Sequence, residues 1–284
     1  MNNTKQIPRR EFLQLSALGL AGASLGLGGC ESVKSPEAKA KIPIGLELYS
    51  LRGECKVDFP GTITKVAAMG YKGVEFAGYW GRSAKDIRKM LDDNGLVTCG
   101  THTPYEDLLP DKVDKTIEFN QIIGNKFIIC PYMTGKTRED WLARAEMFNK
   151  LCDKLKPLGL WTGYHAHQHD FQKIDGEAAW DIFFTRTHTD VIMQLDTSNC
   201  CDGGADPVAV LNKYPGRVRS IHIKPNGGGP ESIITEDKIN WPGVFEFCEN
   251  RGNTKWYVVE HESSKNPLVT VARTFEKLRE LGKV

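Results

Sequence analysis

Short apolar runs alternate with longer amphipathic stretches from residue 42 to the end of the chain. Eight of the runs have the length and composition of β-strands. They occupy residues 45–49, 73–76, 96–102, 127–131, 161–165, 191–196, 218–222 and 256–260. Eight parallel strands joined by helices close into a barrel, so the pattern predicts a single α/β domain of the (β/α)8, or TIM barrel, type.

The stretches between the runs carry helix signals. Apolar side chains repeat at three-to-four spacing in residues 59–69, 138–155 and 267–281, and the pair Asp206-Pro207 has the composition of a helix start. Glycine after a helix and before a strand is typical of a left-handed helix end. We expect such ends at Gly70, Gly95, Gly124, Gly159 and Gly252.

Residues 1–41 have a different character. Arg9 and Arg10 precede an apolar, small-residue stretch at residues 15–27, too short to span a bilayer, which resembles a twin-arginine export signal. Residues 27–30, Leu-Gly-Gly-Cys, lie at its end and resemble a lipoprotein processing site at Cys30, although an ordinary signal with a chance cysteine is the alternative. We expect an export signal at residues 1–29, a polar tether at 30–41 and the barrel at 42–284. The protein would then face the periplasm or cell exterior, anchored to the membrane by lipid on Cys30.

Charge and cysteine content bear on the partners and on the disulfides to be expected. The formal net charge is +1, and residues 1–29 contribute +2 (Lys5, Arg9 and Arg10 against Glu11), so the remainder sits near −1. This gives no reason to expect a nucleic-acid partner. If Cys30 carries lipid, seven of the eight cysteines remain, an odd number without repeated spacing, which argues against a disulfide framework. Assembly into a homo-oligomer is compatible with this composition.

Acidic and imidazole residues stand at the ends of four successive runs: His165 and His167, Asp196, His222 and Glu260. The carboxyl ends of barrel strands meet at one mouth, so these side chains are expected to converge on a divalent cation. Mixed nitrogen and oxygen donors suit Mn, Zn, Co, Fe or Mg. We assign His167, Asp196, His222 and Glu260 as ligands and His165 as the acid or base, while the order of the two histidines stays open.

Other strand ends offer further candidates. Glu47 is expected to point inward and bind a substrate hydroxyl or a buried residue, and it joins His165 among the catalytic candidates. Lys224 is a third, positioned to stabilise an enolate, although a surface ion pair is the alternative. The candidate substrate-binding residues are Tyr49, Glu75, His102, Asn199 and Trp80.

Six short motifs resemble the xylose-isomerase-like barrels known as sugar phosphate isomerases/epimerases, a group that includes ketose 3-epimerases, inosose dehydratases, keto-glycoside lyases and endonuclease IV. The motifs are residues 45–52, 73–76, 163–167, 195–197, 221–224 and 259–260. The resemblance implies a Mn-type cation bound by a strand-five residue, Asp196, His222 and Glu260. It also shows departures: histidine replaces the strand-five glutamate of the epimerases, and Asn199 replaces a histidine.

The expected function is therefore that of an exported, cation-dependent sugar isomerase, epimerase or carbon–oxygen lyase. Its substrate would be a keto-sugar or 3-keto-glycoside, processed through an enediolate. A sugar-binding lipoprotein without turnover is the alternative from another functional class. An endonuclease IV-like nuclease fits less well, because the charge is near zero and the histidines are too few for three metals.

Overall fold

The structure, a computed structural model, describes residues 40–284, of which residues 41–284 form one compact unit. The predicted export signal, Cys30 and all but the end of the predicted tether lie outside the described residues. Within residues 40–284, no helix is both long and apolar enough to cross a membrane. The seven cysteines in this part of the chain are free thiols, and all except Cys201 are buried.

Eight parallel strands form the barrel, as predicted, and every end lies within two residues of the predicted one. They are β1 (Ile44–Glu47), β2 (Gly73–Phe76), β3 (Val97–His102), β4 (Phe127–Cys130), β5 (Trp161–His165), β6 (Ile192–Gln194), β7 (Ser220–Ile223) and β8 (Trp256–Val259). The strand order is β6-β5-β4-β3-β2-β1-β8-β7. A parallel bridge between Asp196 and His222 closes the ring. A short antiparallel hairpin, Lys173–Ile174 with Glu177–Ala178, follows β5 and was not predicted.

Helices cover the outside of the barrel. They are α1 (Arg52–Val57), α2 (Phe59–Met69), α3 (Ala84–Asp93), α4 (Val113–Ile122), α5 (Arg138–Leu155), α6 (Ala179–Phe184), α7 (Thr197–Asp202), α8 (Pro207–Lys213), α9 (Trp241–Asn250) and α10 (Pro267–Glu280). Four short 3-10 turns add to them, at Leu48–Leu51, Tyr105–Leu108, Lys156–Leu158 and Gln168–Phe171. The bounds of α2 and α5 are those predicted, and Asp206 caps α8 by accepting hydrogen bonds from the amides of Val208 and Ala209.

Four of the five predicted glycine helix ends are left-handed, and the fifth is wrong. Gly70, for example, has φ of 103°, whereas the residue that adopts a left-handed conformation after α9 is Asn253, at φ of 57°. Gly252 is required there for a different reason. A Cβ at this position would stand 2.6 Å from the hydroxyl of Thr254, so close approach excludes a side chain.

The interior of the barrel is divided between an apolar and a polar layer. Phe127, Ile129 and Ile192 form a small apolar cluster, capped by Trp161 and Trp256, near the amino ends of the strands. Toward the carboxyl ends the interior contains buried carboxylate, amide and imidazole side chains instead, among them Glu47, Glu75, Gln194 and His222. Polar groups of this kind are costly to bury without partners, so this layer marks the end of the barrel where chemistry is expected.

Candidate metal centre

Four ligand-type side chains meet at the carboxyl end of the barrel. Potential ligand atoms of His165, Asp196, His222 and Glu260 all lie within 4.8 Å of one another, and all four residues are buried. His165 Nε2 is 3.9 Å from Asp196 Oδ2, and His222 Nδ1 is 2.9 Å from Glu260 Oε2 and 4.0 Å from Asp196 Oδ2. The predicted convergence of strands β5 to β8 is thus present in the fold.

The donor set fits a divalent cation. Asp196 Oδ1 accepts a hydrogen bond from the amide of Asn199, but Asp196 Oδ2 is buried and has no hydrogen-bond partner. This oxygen makes no hydrogen bond, so beside the Lys224 ammonium, 3.4 Å away, it keeps lone pairs that can bind a cation. Two imidazole nitrogens with two carboxylate oxygens form the mixed set that Mn²⁺, Zn²⁺ or Fe²⁺ accepts.

Lys224 brings a positive charge to the same cluster. Its ammonium nitrogen lies 3.4 Å from Asp196 Oδ2 and 3.6 Å from Glu260 Oε2, and it forms an ion pair with Glu262. The side chain is buried, and these carboxylates raise its pKa against the effect of burial. Lys224 is therefore part of the buried cluster and not the surface ion pair considered as its alternative.

The ionisation of the cluster reflects this mixture of charges. Burial alone would raise the pKa of Glu260, but Lys224 and His222 outweigh it and hold that pKa well below the ordinary value. Burial raises the pKa of Asp196 to about 7, against the opposing attraction of Lys224. Burial would lower the pKa of His222, yet its contacts with Glu260 and Glu75 raise it. The Nδ1···Oε2 contact between His222 and Glu260 therefore contains a proton that a bound cation would displace.

Comparison with known proteins identifies the family of this barrel. The family model described as Xylose isomerase-like TIM barrel matches residues 63–281. The chain belongs to this family.

Relatives of this xylose isomerase-like barrel include dehydratases. It is 25% identical over 261 residues to an inosose dehydratase from Clostridium beijerinckii, a match that covers 77% of this chain and 85% of the relative. An inosose dehydratase from Serratia proteamaculans is 25% identical over 247 residues, covering 72% of this chain and 82% of that protein. The crystal structure of a sugar phosphate isomerase/epimerase from Parabacteroides distasonis superposes with a TM-score of 0.74 at 25% identity, covering 87% of this chain and 97% of that one.

A cavity of about 850 Å³ opens above the cluster of this xylose isomerase-like barrel. His102, His165 and Glu260 line its inner end, and Tyr49 and Tyr132, which are 42% and 52% exposed, line its mouth. A second cavity of about 560 Å³ contains Lys224, Asn199 and the glycine-rich loop at residues 226–230 in its lining. Glu262 lines both cavities, so the ion pair between Lys224 and Glu262 lies where they adjoin.

The two candidate histidines of β5 occupy different places. His165 is the last residue of β5 and contributes to the cluster, whereas His167 lies outside it, where the chain leaves the strand for a 3-10 turn. The backbone amide of His167 donates to Asp170 at 2.7 Å. The His167 ring lines the larger cavity, its Nδ1 is buried without a hydrogen-bond partner, and burial lowers its pKa to about 4. The geometry therefore favours His165 as ligand and His167 as acid or base, the reverse of the assignment made from sequence.

The other predicted site residues divide into those at the cavity and those behind or away from it. Tyr49 and His102 line the larger cavity. Glu47 is fully buried; its Oε1 accepts from the amide of Tyr49 at 2.9 Å, and its Oε2 has no hydrogen-bond partner. The side-chain amide of Asn199 donates a hydrogen bond to the carbonyl of Ala166 at 2.9 Å and so stabilises the segment that follows β5.

Two predicted substrate-binding residues are not brought to the cavity. Trp80 adopts a left-handed conformation, with φ of 46°, and stacks on Phe59 with ring centroids 4.8 Å apart. Glu75 is fully buried and accepts a hydrogen bond from His222 Nε2 at 2.6 Å, so it supports the cluster from behind. Sequence reasoning gave no role to Gln194, which contacts Glu75, His102 and His165. Its signal was a polar residue two positions before Asp196 in an otherwise apolar strand.

Proposed function

We propose that this protein is a divalent-cation-dependent lyase that removes a leaving group from the carbon β to the carbonyl of a keto-sugar or keto-glycoside. The observation that supports this most directly is the cluster of His165, Asp196, His222 and Glu260 at the inner end of a large cavity. The inosose dehydratase relatives favour elimination over epimerisation or isomerisation.

The bound cation would polarise the substrate carbonyl and so acidify the neighbouring C–H bond. His167 lines the cavity beside the cluster and is uncharged at neutral pH, because burial lowers its pKa to about 4. It is the proposed base that takes the proton from that carbon. The electron pair of the broken C–H bond forms the new C=C bond as the C–O bond to the leaving group breaks. The imidazolium of His167 returns its proton to the departing oxygen.

A single base distinguishes this scheme from epimerisation. Inversion at a carbon requires one group to remove the proton on one face and another to return one on the opposite face. In the described cavity, the imidazole of His167 has a buried nitrogen without a partner, whereas His102 Nε2 is engaged with Gln194. Lys224, whose ammonium reaches Asp196 and Glu260, is the proposed group that stabilises the negative charge on the substrate oxygen.

The size and lining of the cavity support a substrate larger than one sugar ring. Its volume is about 850 Å³, and aromatic rings at the mouth offer flat apolar faces against which the C–H face of a sugar packs. Tyr49 and Tyr132 are half-exposed on this mouth. A keto-glycoside, with its keto ring at the cluster and its second group between these tyrosines, is the substrate class we propose.

Proton exchange and product formation test the function together. The full-length protein would be incubated with Mn²⁺ and a 3-keto-glycoside in D2O and followed by NMR. We expect loss of the C–H signal next to the carbonyl and release of the β-substituent. Asp196→Asn should abolish both, whereas the matched control Asp111→Asn, at an exposed position, should not. Binding without exchange would indicate a sugar-binding protein, and exchange with inversion but no release would indicate an epimerase.

We also propose that the protein is exported and anchored by lipid on Cys30, on the strength of the twin-arginine and cysteine motifs in residues 9–30. Mass spectrometry of the amino-terminal peptide from native membranes should show lipid on Cys30. Cys30→Ala should release the protein from the membrane fraction. An unprocessed amino terminus in the native protein would contradict this proposal.

A further inference from the structure

Gln194, at the end of β6, connects the ligand cluster to the polar layer behind it. The side chain is fully buried, and each end of its amide has its own partners. Its Oε1 lies 2.9 Å from His102 Nε2 and 3.1 Å from His165 Nδ1. Its Nε2 lies 2.9 and 3.1 Å from the two carboxylate oxygens of Glu75, and 3.0 Å from the hydroxyl of Ser220.

The partner at one end determines which way the amide faces. A carboxylate only accepts hydrogen bonds, so the group that faces Glu75 must be the NH2 of Gln194. Nε2 of Gln194 lies within hydrogen-bond distance of both oxygens of Glu75, and Glu75 Oε2 also accepts from His222 Nε2. The carbonyl oxygen of Gln194 must then face His102 and His165. Because that oxygen can only accept, the imidazole nitrogen atoms next to it must each carry a proton.

This hydrogen-bond direction fixes the chemistry of His165. With its proton on Nδ1, the ring presents the lone pair of Nε2, which lies 3.9 Å from the unpartnered Oδ2 of Asp196. A neutral imidazole binds a cation through the nitrogen that has no proton. Gln194 therefore keeps the unprotonated Nε2 of His165 facing the cluster, where it can bind a cation.

Glu75 does the same for His222 through the opposite ring nitrogen. Its Oε2 accepts from His222 Nε2 at 2.6 Å, so the proton that a cation displaces is on Nδ1, the nitrogen beside Glu260 and Asp196. His165 would thus bind a cation through Nε2 and His222 through Nδ1. Gln194 determines which nitrogen is available in His165, and Glu75 determines it in His222. The two residues also hold each other in place, because the amide donates to both carboxylate oxygens.

We propose that Glu75 and Gln194 form a buried positioning pair that sets the ring orientation and the protonated nitrogen of His165 and His222, so that both imidazoles are prepared to bind a divalent cation. The inference rests on the proposed function in one respect only, the identity of the ligand as a cation. The positions of the protons exist whether or not a cation is bound.

Exchanging the two members of the pair tests the inference. Gln194→Glu keeps the shape of the side chain but sets two carboxylates against each other and removes the donor to Glu75. The repulsion displaces the side chains at positions 75 and 194 from His222 and His165. Disturbing the outer hydrogen-bond partners of ligating histidines typically costs about 10- to 100-fold in metal affinity, and we expect a loss of that size for Co²⁺. In the double variant Glu75→Gln/Gln194→Glu, the amide and carboxylate exchange places, the carboxylate accepts from His165 and the amide oxygen accepts from His222. The double variant should recover most of the lost affinity.

Two measurements on the full-length protein separate the possible outcomes. Titration with Co²⁺, followed by its visible absorption, gives cation affinity, and 15N NMR of the histidine side chains identifies the protonated nitrogen of each ring. Gln121→Glu, the same change at an exposed position of α4, is the control and should match the wild type in both.

The inference is supported if His165 has its proton on Nδ1 and the double variant binds Co²⁺ more tightly than Gln194→Glu. It is overturned if Gln194→Glu changes neither the affinity nor the NMR signals, or if the double variant is as weak as the single one. A wild-type protein that shows the expected protonated nitrogens but binds no Co²⁺ would contradict the proposed function while leaving the positioning pair intact.

Discussion

Gly100 offers a direct test of how the polar layer is packed. The pairing of β2 with β3 shifts register after Val74, so that Glu75 stands opposite Gly100. A Cβ added to Gly100 would overlap Glu75 Oε1 and lie 2.9 Å from its Cδ and 3.2 Å from its Cγ. The absence of a side chain at Gly100 therefore creates the space that the Glu75 carboxylate occupies. Gly100→Ala is expected to displace this carboxylate.

The magnitude follows from what Glu75 would lose. Its carboxylate is fully buried and accepts hydrogen bonds from Gln194 and from His222. Loss of one hydrogen bond to a charged group costs about 1.5–3 kcal/mol, and overpacking costs about 1–3 kcal/mol. Replacing glycine stabilises by about 0.4–1 kcal/mol through the unfolded chain, which offsets part of this. We expect Gly100→Ala to lower the free energy of unfolding by about 2–5 kcal/mol.

Urea unfolding of the full-length protein, monitored by tryptophan fluorescence and circular dichroism, measures this loss. The control is Gly53→Ala in α1, where an added Cβ meets no atom within 4 Å. Because alanine favours a helix over glycine by about 0.5–1 kcal/mol, the control should be as stable as the wild type or slightly more so. A Gly100→Ala protein within about 0.5 kcal/mol of the wild type would show that the Glu75 carboxylate does not need this space, since that is the size of an ordinary surface substitution.

Three further predictions concern other parts of the molecule. Glu231 accepts hydrogen bonds from the hydroxyls of Thr270 and Ser264, which lower its pKa to about 2. The stability that Glu231 contributes is therefore present above the usual glutamate pKa and lost as pH falls toward 2. In urea unfolding, Glu231→Gln should be less stable than the wild type at neutral pH, and the difference in free energy of unfolding should shrink below about pH 4.5. A difference that stays constant with pH would contradict this. The buried Arg217 donates hydrogen bonds to three backbone carbonyl oxygens and a hydroxyl. Arg217→Met should therefore lower the free energy of unfolding by about 3 kcal/mol or more, and Arg217→Lys should be intermediate. Equal stability of the three proteins would exclude this role. Tyr132→Ala should raise KM by about 2- to 12-fold with kcat unchanged if the ring stacks on substrate, whereas a fall in kcat alone would argue against stacking.

The architecture could be predicted from sequence because its signals are local and repeated. Apolar runs of strand length alternate with stretches of helical periodicity. Helix ends were predicted correctly where a glycine adopts a positive φ, as at Gly70. Convergence of Asp196, His222 and Glu260 was also predictable, because strand ends of a closed barrel share one mouth. These features depend on short-range pattern and on the geometry common to all such barrels.

What could not be predicted depends on local departures from regular structure. His165 and His167 share a face only while the strand continues, and β5 ends at His165. Trp80 was expected at the mouth, but its left-handed backbone turns the ring onto Phe59. The role of Gln194 arises from its contacts with His102 and Glu75. These residues precede it by 92 and 119 positions in the chain, a separation that no local pattern reveals.

The cation site is tested most directly by the anomalous scattering of crystals grown from the full-length protein and soaked in Mn²⁺. We expect one strong peak bounded by His165, Asp196, His222 and Glu260, with Nε2 of His165 and Nδ1 of His222 as its nitrogen ligands. A featureless map at this cluster, or a peak bound by His167 in place of His165, would contradict it.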